Sequence, residues 1–451
     1  MSDPNLQNAI PKVLSEFTIQ VTKYNGQVID ISDNVTAVSV FESIFTPFLY
    51  GNMTVIDNSA MASVFPFIGQ EKVRISWVRA EARVQKDFYI YDVKDMKTQT
   101  EGTGSYTLTF TSEKQFRNNI SLFSKSYSGN AADIIKNVYD DWLIEPGSSK
   151  KLKLNTTAAA SHNVVFPYIK PLAAINMIQK NSLGEDGTPM FVFETMYSED
   201  TVLDSMKRML EQEKVFTIEP VPMSASDPEP TREMNKYDGQ IYSTLMKQGY
   251  ETLARTGDGV FASTVTAVDI AARKADITDF SFREHAKPIA NDWVSAYFAF
   301  DDNRIHTQYN TKNRIMYKNT LAFGDDDFPN LTGLDELEVA IINSYFSRLR
   351  TVSVLAHINS APEIECGKMV EYKKERFSPK LAPADDPDDK VSSGNYLVAS
   401  IHHHIRRQEY TMSIELVRDG MGDEADLYNN QEVNLGVPPR RQVSILDYSG
   451  G

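Results

Sequence analysis

Cysteine is almost absent from this chain of 451 residues, which contains only Cys366. One cysteine cannot form an intrachain disulfide, so the sequence predicts synthesis in a reducing cytoplasm. The chain also has no apolar run long enough to span a bilayer. Residues 1–5 are polar and lack the basic and apolar regions of a signal peptide. These absences favour a protein that folds without export.

Basic residues are fewer than acidic residues, with 46 Lys and Arg against 61 Asp and Glu and a formal charge of −15. Gripping nucleic acid requires Lys and Arg to neutralise phosphates, so this charge argues against a nucleic-acid-binding surface. It is compatible with a surface that nucleic acid slides past without sticking.

Motifs of catalysis are missing too, since the chain has no Gly-x-Ser-x-Gly, no phosphate-binding loop and no His-Glu-x-x-His. His402 and His404 share a strand face and could bind zinc or copper, but no further ligands accompany them. The acidic runs 325–327 and 385–389 lack the glycine and glutamate of a calcium loop. Cys366 has no motif that names a base. We therefore assign no catalytic, cofactor-binding or metal-binding residue, and predict a protein that is not an enzyme.

The most ordered pattern is a pair of alternating runs at residues 394–421, joined by a charged turn. In the first run Leu397, Ile401 and Ile405 are predicted to share a face. In the second run, Tyr410 and Ile414 are predicted to share a face with the residues that lie two positions away from them. Period-two alternation of this kind predicts a half-buried β-hairpin.

The same hairpin pattern occurs earlier in the chain. Residues 88–93 followed by 106–111 match residues 396–401 followed by 410–415. Ahead of each hairpin, residues 54–57 resemble 266–269, and Gly69 with its following strand (Val73, Ile75) resembles Gly367 with Val370 and Tyr372. Because the order is shared, the sequence predicts a duplicated antiparallel β domain whose second copy carries an insertion.

The predicted fold class is α+β and mainly β, with two tandem antiparallel β-barrel domains of the tube type, an α+β domain between them and a small inserted domain. The predicted limits are 1–113 for the first barrel, 114–222 for the α+β domain, 223–282 with 345–421 for the second barrel, 283–344 for the insertion and 422–451 for a tail. Helical spacing predicts helices over residues 131–143, 171–182, 202–210, 241–253 and 334–346.

The duplicated plan, with Tyr396-Leu397-Val398 leading to Tyr410-Thr411 and closing at Leu416-Val417-Arg418-Asp419, resembles the central baseplate hub protein of contractile-tailed, T-even-type bacteriophages. Residues 165–178 and 259–282 are also similar to that family. The related N-terminal part of type VI secretion spike proteins performs the same task. The resemblance covers residues 15–420.

The resemblance implies a structural hub without cofactors. Such hubs are homotrimers in which two similar domains per chain give a ring with pseudo-six-fold symmetry. The ring joins the hexameric tail tube to the trimeric central spike, contacts other baseplate wedge proteins and lets DNA pass without sequence-specific binding. The implied location is the virion tail baseplate, assembled in the cytoplasm of the host bacterium.

Both hairpins are expected to lie along the ring wall, where exposed strand edges pair between domains and subunits. The predicted interface residues are Tyr396, Val398, Ile401, Tyr410, Met412, Ile414, Phe88, Ile90, Tyr106 and Leu108. Two other functions remain open: an envelope-degrading enzyme that hydrolyses peptidoglycan, and a carbohydrate-binding tail module. The latter would need exposed aromatic clusters, which the alternating aromatics do not indicate.

Overall fold

A computed structural model describes residues 14, 16–58, 65–79, 82–98, 103–148, 150–219, 241–248, 252–270, 273–285, 312–318, 336–359, 361, 364–374, 389, 392–406 and 409–419. The predicted tail 422–451, most of the insertion 283–344 and the acidic runs, apart from Asp389, lie outside these residues. Within the described part of the chain, no helix is long and apolar enough to cross a membrane.

Strands dominate the described residues, as the sequence predicts. They are β1 Glu16–Thr22, β2 Val28–Asp30, β3 Val35–Ser43, β4 Thr46–Asp57, β5 Lys72–Arg79, β6 Ala82–Thr98, β7 Gly104–Thr111, β8 Phe123–Asn130, β9 Leu152–Leu154, β10 Ser161–Ile169, β11 Met190–Glu194, β12 Thr201–Ser205, β13 Phe216–Ile218, β14 Ile241–Gln248, β15 Ala262–Asp269, β16 Lys274–Ser281, β17 Asn313–Lys318, β18 Val352–Asn359, β19 Met369–Tyr372, β20 Gly394–Arg406 and β21 Glu409–Arg418.

The described helices are short. They are α1 Glu113–Ile120, α2 Ala131–Trp142, α3 Pro171–Gln179, α4 Met206–Leu210, α5 Thr252–Gly257, α6 Phe282–His285 and α7 Glu336–Leu349. Three predicted helices are confirmed in type: α2, α3 and α7. At α2 the side chain of Asn130 accepts a hydrogen bond from the Ala132 amide, which satisfies one of the free donors of the first turn.

Thirteen strands form one sheet in the order β14-β18-β21-β20-β3-β4-β7-β6-β5-β1-β2, with β19 pairing with β20 and β13 pairing with β19. Three smaller sheets contain β8 with β10, β9 with β11 and β12, and β15 with β16 and β17. None of these described sheets is closed. The mainly β fold is therefore confirmed, whereas the predicted pair of barrels is not.

The duplication is visible in the strand order of the large sheet. We call the neighbouring strands β3-β4-β7-β6-β5 copy 1 and the neighbouring strands β14-β18-β21-β20-β19 copy 2. Each strand of copy 1 has a counterpart at the same place in the order of copy 2. In each copy the long first strand of the hairpin, β6 or β20, pairs with β5 or β19 over its first part and with β7 or β21 over its second part. The predicted repeat is confirmed at the level of strand pairing.

Matching β-bulges support the same conclusion. In β6 a bulge lies between Ile90 and Asp92, and in β20 one lies between Val398 and Ser400. The first strand of each copy, β3 or β14, also carries a bulge near its start. Because a bulge changes which face each later side chain occupies, two bulges at matching positions fix the alignment of the copies.

That alignment corrects two predicted correspondences. Relative to the bulges Leu108 matches Ile414, so the second hairpin strands align two residues away from the sequence match. The bulge also puts Val398, rather than Leu397, on the face of Ile401. Gly69 and Gly367 are confirmed as matching turns, since Val73 and Val370 occupy the same position beside β6 and β20, and both glycines have positive φ.

The match between residues 54–57 and 266–269 is wrong. Residues 54–57 belong to β4 in the large sheet, but 266–269 belong to β15, which pairs with β16 and in parallel with β17. The true counterpart of β4 is β18. The strands β15, β16 and β17 and the helix α6 form one unit, and the predicted domain limit at 282/283 falls inside it. The helix α7 contacts the same unit, because the Ser344 hydroxyl donates a hydrogen bond to the Val260 carbonyl at 2.7 Å.

Two helical predictions are wrong in part. Residues 241–248 form the strand β14, antiparallel to β18, and only Thr252–Gly257 is helical. Residues 201–205 are the strand β12, so the helix α4 begins at Met206. In both places the backbone pairs with a neighbouring strand, and this tertiary pairing overrides the local periodicity.

The main hydrophobic core lies on one face of the large sheet and continues without a break from copy 1 to copy 2. It also includes Phe191, Phe193, Met196 and Met206 from the segment between the copies. A second core belongs to α2, α3 and the strands around them. The opposite face of the large sheet is half exposed, and the residues described next lie on both faces.

Candidate assembly surface

The two copies are joined within the chain by β20 and β3. Residues 400–405 run antiparallel to residues 38–43, which lie more than 350 positions earlier in the sequence. The Ile44 amide continues the joint by donating to the Ala399 carbonyl at 2.9 Å. We call this pairing the in-chain joint, and it makes one continuous sheet, which we call the wall, from β14, β18, β21, β20, β3, β4, β7 and β6.

Small contacts line the half-exposed face of the in-chain joint. His402 stacks on Phe41 with ring centroids 4.3 Å apart, and the hydroxyls of Ser43 and Ser400 hydrogen-bond at 2.9 Å. Burial and, to a smaller extent, the neighbouring His404, His403 and His357 together lower the pKa of His402 to about 4. The imidazole is therefore neutral at neutral pH, and it packs as an aromatic ring rather than as a cation.

A buried carboxylate holds the core face of the joint. Glu42 on β3 accepts hydrogen bonds from the backbone amides of Met196 at 2.7 Å and Cys366 at 3.0 Å. His403 on β20 is fully buried, with Nε2 3.4 Å from Glu42 and Nδ1 2.7 Å from the Tyr410 hydroxyl. One side chain thus ties copy 1 to copy 2, to the turn before β19 and to the segment between the copies.

A second buried cluster ties copy 1 to β11. Glu194 lies 2.5 Å from Lys114 on α1 and 3.5 Å from Lys86 on β6, and all three side chains are buried. Burial opposes the charge of Glu194, but Lys114 and Lys86 outweigh it and lower its pKa to about 2. Burial also lowers the pKa of Lys86, whereas Glu194 raises the pKa of Lys114. The cluster fixes β11 against the wall through charge-assisted hydrogen bonds.

Among the described strands, the wall ends at β6 on one side and at β14 on the other. β6 pairs with β5 only up to Tyr89, so the edge of residues 91–98 opposite β7 faces no other described strand. At the other end, β14 pairs with β18 alone among the described strands. Edges with unpaired backbone groups recruit further strands. The two edges are unlike each other, and each matches one side of the in-chain joint.

The repeat assigns partners to these edges. In the in-chain joint, β20 of copy 2 pairs with β3 of copy 1. The repeat makes β6 the counterpart of β20 and β14 the counterpart of β3, so β6 and β14 are the two strands that would form an equivalent joint. We call the register of the in-chain joint, when it is applied to β6 and β14, the transferred register. In it Lys94 takes the place of His402, and Lys247 takes the place of Phe41. The register also brings Met96 and Leu245 to the same stretch, and these apolar side chains are 64% and 67% exposed in the single chain.

Two solved structures of tail proteins have a similar architecture. A tail protein from Neisseria meningitidis MC58 matches with a TM-score of 0.52 and 11% identity over 90% of this chain and 97% of its own. The 43 kDa tail protein of prophage MuSo2 from Shewanella oneidensis matches with a TM-score of 0.51 and 11% identity over 90% of this chain and 100% of its own. The chain has the fold of these tail proteins.

A looser match, with a TM-score of 0.42 and 8% identity, is an Escherichia coli component of the type VI secretion system, over 85% of this chain and 73% of its own. No protein-family model and no curated protein matches the sequence. The resemblance to tail hubs drawn from the residues is thus confirmed for the tail-protein fold.

Within the tail-protein fold, the ten predicted interface residues all lie in the core, and none exposes more than 2% of its surface. Their role at a subunit interface stays a prediction. An Asp at Ile401 or Ile414 would place a carboxylate in the core and destabilise the fold itself, so substitutions at these residues cannot report on an interface. The sequence did not predict that β6 and β14 are the outer strands of the described wall, because the place of a strand in a sheet leaves no local signature.

The suspected histidines do not come together as ligands. Their stretch is β20, where His403 faces the core while His402 and His404 lie on the half-exposed face. Across the described residues, no group of three or more His, Cys, Asp or Glu side chains is placed to hold a metal ion. Burial raises the pKa of the Cys366 thiol well above its usual value, so this cysteine stays a thiol.

Proposed function

We propose that the chain is the structural hub of a phage tail baseplate, a homotrimeric ring that joins the hexameric tail tube to the trimeric central spike. The observation that carries the proposal is the in-chain joint, together with the two outer strands of the described wall, β6 and β14, which are the repeat counterparts of β20 and β3. The same joint, repeated between chains, pairs β6 of one chain with β14 of the next.

The joint between chains is head to tail, because the two edges are different surfaces. A head-to-tail contact either closes into a ring or continues as a filament. Each chain contributes two copies of the wall unit, so three chains give a ring of six similar units. Three is the number that the resemblance to tail hubs implies, and it matches a six-fold tube to a three-fold spike.

The half-exposed face of the wall is the surface that we propose lines the channel, because the core face is covered by β11 and its neighbours. Hydroxyl and amide side chains dominate it, among them Ser39, Asn52, Thr107, Thr109 and Ser413. Lys94 and Lys247 also lie on this face and would be brought together by the joint between chains. The uncharged side chains that make up most of the lining let DNA move past without the phosphate contacts that would hold it.

In this proposal the wider set of partners is the tail tube ring, the spike and the wedge proteins of the baseplate, and the location is the virion after assembly in the host cytoplasm. The chain acts by geometry and has no catalytic role.

The transferred register gives a direct test. Lys94→Cys and Lys247→Cys are combined in one chain, and the protein is treated with oxidant or a short bismaleimide. Native Cys366 is buried and does not compete. The expected products are covalent dimers and trimers on denaturing gels, because the two cysteines face each other across the joint between chains.

The matched control combines Lys94→Cys with Lys151→Cys, an exposed position on the α+β segment away from the edges. Native mass spectrometry of the unlinked protein reports the number of chains. A chain that stays monomeric, or that links no faster than the control, would remove the basis for the ring.

A further inference from the structure

An aromatic cleft of about 550 Å³ lies at one end of the wall, between the start of β4 and α1. A cavity of this size is in the range of pockets that hold small ligands. Phe48, Tyr50, Tyr91 and Phe116 form its aromatic part. The other described residues that line it are uncharged as well, and most of them carry a hydroxyl or an amide. The lining therefore suits a neutral ligand that has both apolar and polar groups.

Two of the rings are held in place by a further ring. Phe41 stacks on Tyr50 with the ring centroids 5.1 Å apart, and Tyr89 stacks on Phe116 with the centroids 5.5 Å apart. Tyr50 nevertheless stays 41% exposed. Rings that are fixed before a ligand arrives lose little conformational entropy when they bind it.

Tyr91 owes its position to the β6 bulge. Its neighbours Ile90 and Asp92 pair with consecutive residues of β7, and Tyr91 is the extra residue between them. A bulge of this kind re-aims a side chain. The Tyr91 side chain is 49% exposed. Together with Tyr50 it forms an exposed aromatic cluster, which the alternation of the sequence did not indicate.

The repeat shows that the wall does not require these tyrosines. By the aligned strand pairs, Tyr50 corresponds to Ser353 and Tyr91 to Ala399. Copy 2 thus has small residues where copy 1 has exposed aromatic rings, and the same strands pair in both. The rings of copy 1 are therefore an addition to the fold, and binding is a use that accounts for them.

Amide groups with unused donors lie beside the rings. The side-chain oxygen of Gln115 accepts a hydrogen bond from Asn118, and that of Asn119 accepts one from Lys170 at 2.9 Å. The amide nitrogens of Gln115 and Asn119 donate to no described residue. Ile120 follows directly and is 72% exposed. Donor groups and an apolar side chain are thus neighbours at this side of the cleft.

We propose that the aromatic cleft binds a neutral glycan whose sugar units carry acetamido groups. The apolar faces of sugar rings pack on aromatic side chains, while polar groups at the edges fix their orientation. An acetamido carbonyl accepts hydrogen bonds from amide nitrogens such as those of Gln115 and Asn119. Its methyl group suits the apolar surface of Ile120. The site goes beyond the proposed ring and does not depend on it, because all of its residues belong to one chain.

The cleft is built for binding without cleavage. Hydrolysis of a glycosidic bond commonly needs two carboxyl groups that flank the bond. None of the described residues that line the cleft is Asp or Glu. The expected ligand is therefore released unchanged.

Calorimetric titration of the full chain with chitotetraose, a neutral chain of N-acetylglucosamine units, tests the site. We expect saturable binding that Tyr91→Ala weakens at least about tenfold, because the variant loses an aromatic contact with the sugar. Maltotetraose has the same length and no acetamido groups, and it should bind at least about tenfold more weakly than chitotetraose. Tyr317→Ala is the matched control, since Tyr317 on β17 is 69% exposed and lies outside the cleft.

Gln115→Ala is the second variant and keeps all of the aromatic rings. It should weaken chitotetraose binding and leave maltotetraose binding as it is in the wild type, which a general loss of structure would not do. Thermal unfolding checks that each variant is folded, and Gln115→Ala decides if Tyr91→Ala is not.

Three results would each overturn the site: no binding of chitotetraose by the wild type, equal binding of maltotetraose, or full binding of chitotetraose by the folded variants. The ring has its own test in the linking of Lys94→Cys to Lys247→Cys. A failure of the glycan site and a failure of the ring are therefore distinguishable.

Discussion

Replacing Glu194 with Gln should destabilise the chain and reduce the loss of its stability in acid. In the described contacts, Glu194 is the one carboxylate that pairs with both buried ammonium groups, those of Lys86 and Lys114. Its removal leaves two buried cations without their counter-charge, and breaking a buried pair in this way typically costs 3–5 kcal/mol. For Glu194→Gln we expect a cost at the lower end of this range, roughly 3 kcal/mol.

The magnitude follows from the lowered pKa. The folded state lowers the pKa of Glu194 from 4.5 to about 2. One pKa unit corresponds to about 1.4 kcal/mol, so the charged form contributes about 3 kcal/mol to folding. A lowered carboxyl pKa stabilises the fold above about pH 4.5, and this stability is lost as the pH falls towards 2. By pH 3 the loss from this group is about 2 kcal/mol.

The assay is urea unfolding of wild type and Glu194→Gln at pH 7 and pH 3. Wild type should lose about 2 kcal/mol more than the variant between these pH values, since other carboxylates titrate in both proteins. Glu211→Gln is the control, because Glu211 is largely exposed and lies 3.6 Å from Lys207 in a surface pair of small worth. If wild type and Glu194→Gln lose the same stability, the buried cluster does not have the role described here.

Two further predictions concern the wall. Gly51→Ala should destabilise the chain by roughly 2 kcal/mol or more, because the added Cβ would lie 2.2 Å from the Ser39 carbonyl oxygen and 2.7 Å from the Phe110 ring. Thermal unfolding measures the loss, and Gly104→Ala is the control, because the atom nearest to its added Cβ is 3.5 Å away. His402→Phe should keep the stacking on Phe41 and remove the part of the acid destabilisation that falls between about pH 6.5 and about 4. Unfolding at pH 7.5 and 4.5 measures it, and an unchanged acid loss would contradict the lowered pKa.

The hairpins were predictable because their side chains alternate over long runs. The α helices with broad apolar stripes, such as α2, were predictable for a similar reason. β14 was not, because most of its described side chains beyond Ile241 are exposed. A strand whose outer edge and outer face meet no described strand of the same chain shows little of the alternation that marks a buried strand.

Sheet membership was harder to predict than strand existence. The in-chain joint pairs segments more than 350 residues apart, and no local pattern records such a partner. The bulges were also invisible, because one extra residue in a run of alternating residues reads as ordinary variation. One signal was available: Glu42 stands at an inward position among Val38, Val40 and Ile44, and a charged residue at a core position marks a specific polar contact.

The difference between the two copies bears on how a six-unit wall fits a three-fold partner. At the position of Glu42, copy 2 has Gln248, and at the position of Ala399, copy 1 has Tyr91. The in-chain joint therefore has a buried carboxylate and a small residue at these two positions, whereas the sequence places a glutamine and a tyrosine at the matching positions of the proposed joint between chains. Joints of the two kinds would alternate around the ring, so the wall keeps six similar backbones while its side chains repeat three times. Backbone similarity suits the tube, and the three-fold repeat of side chains suits the spike.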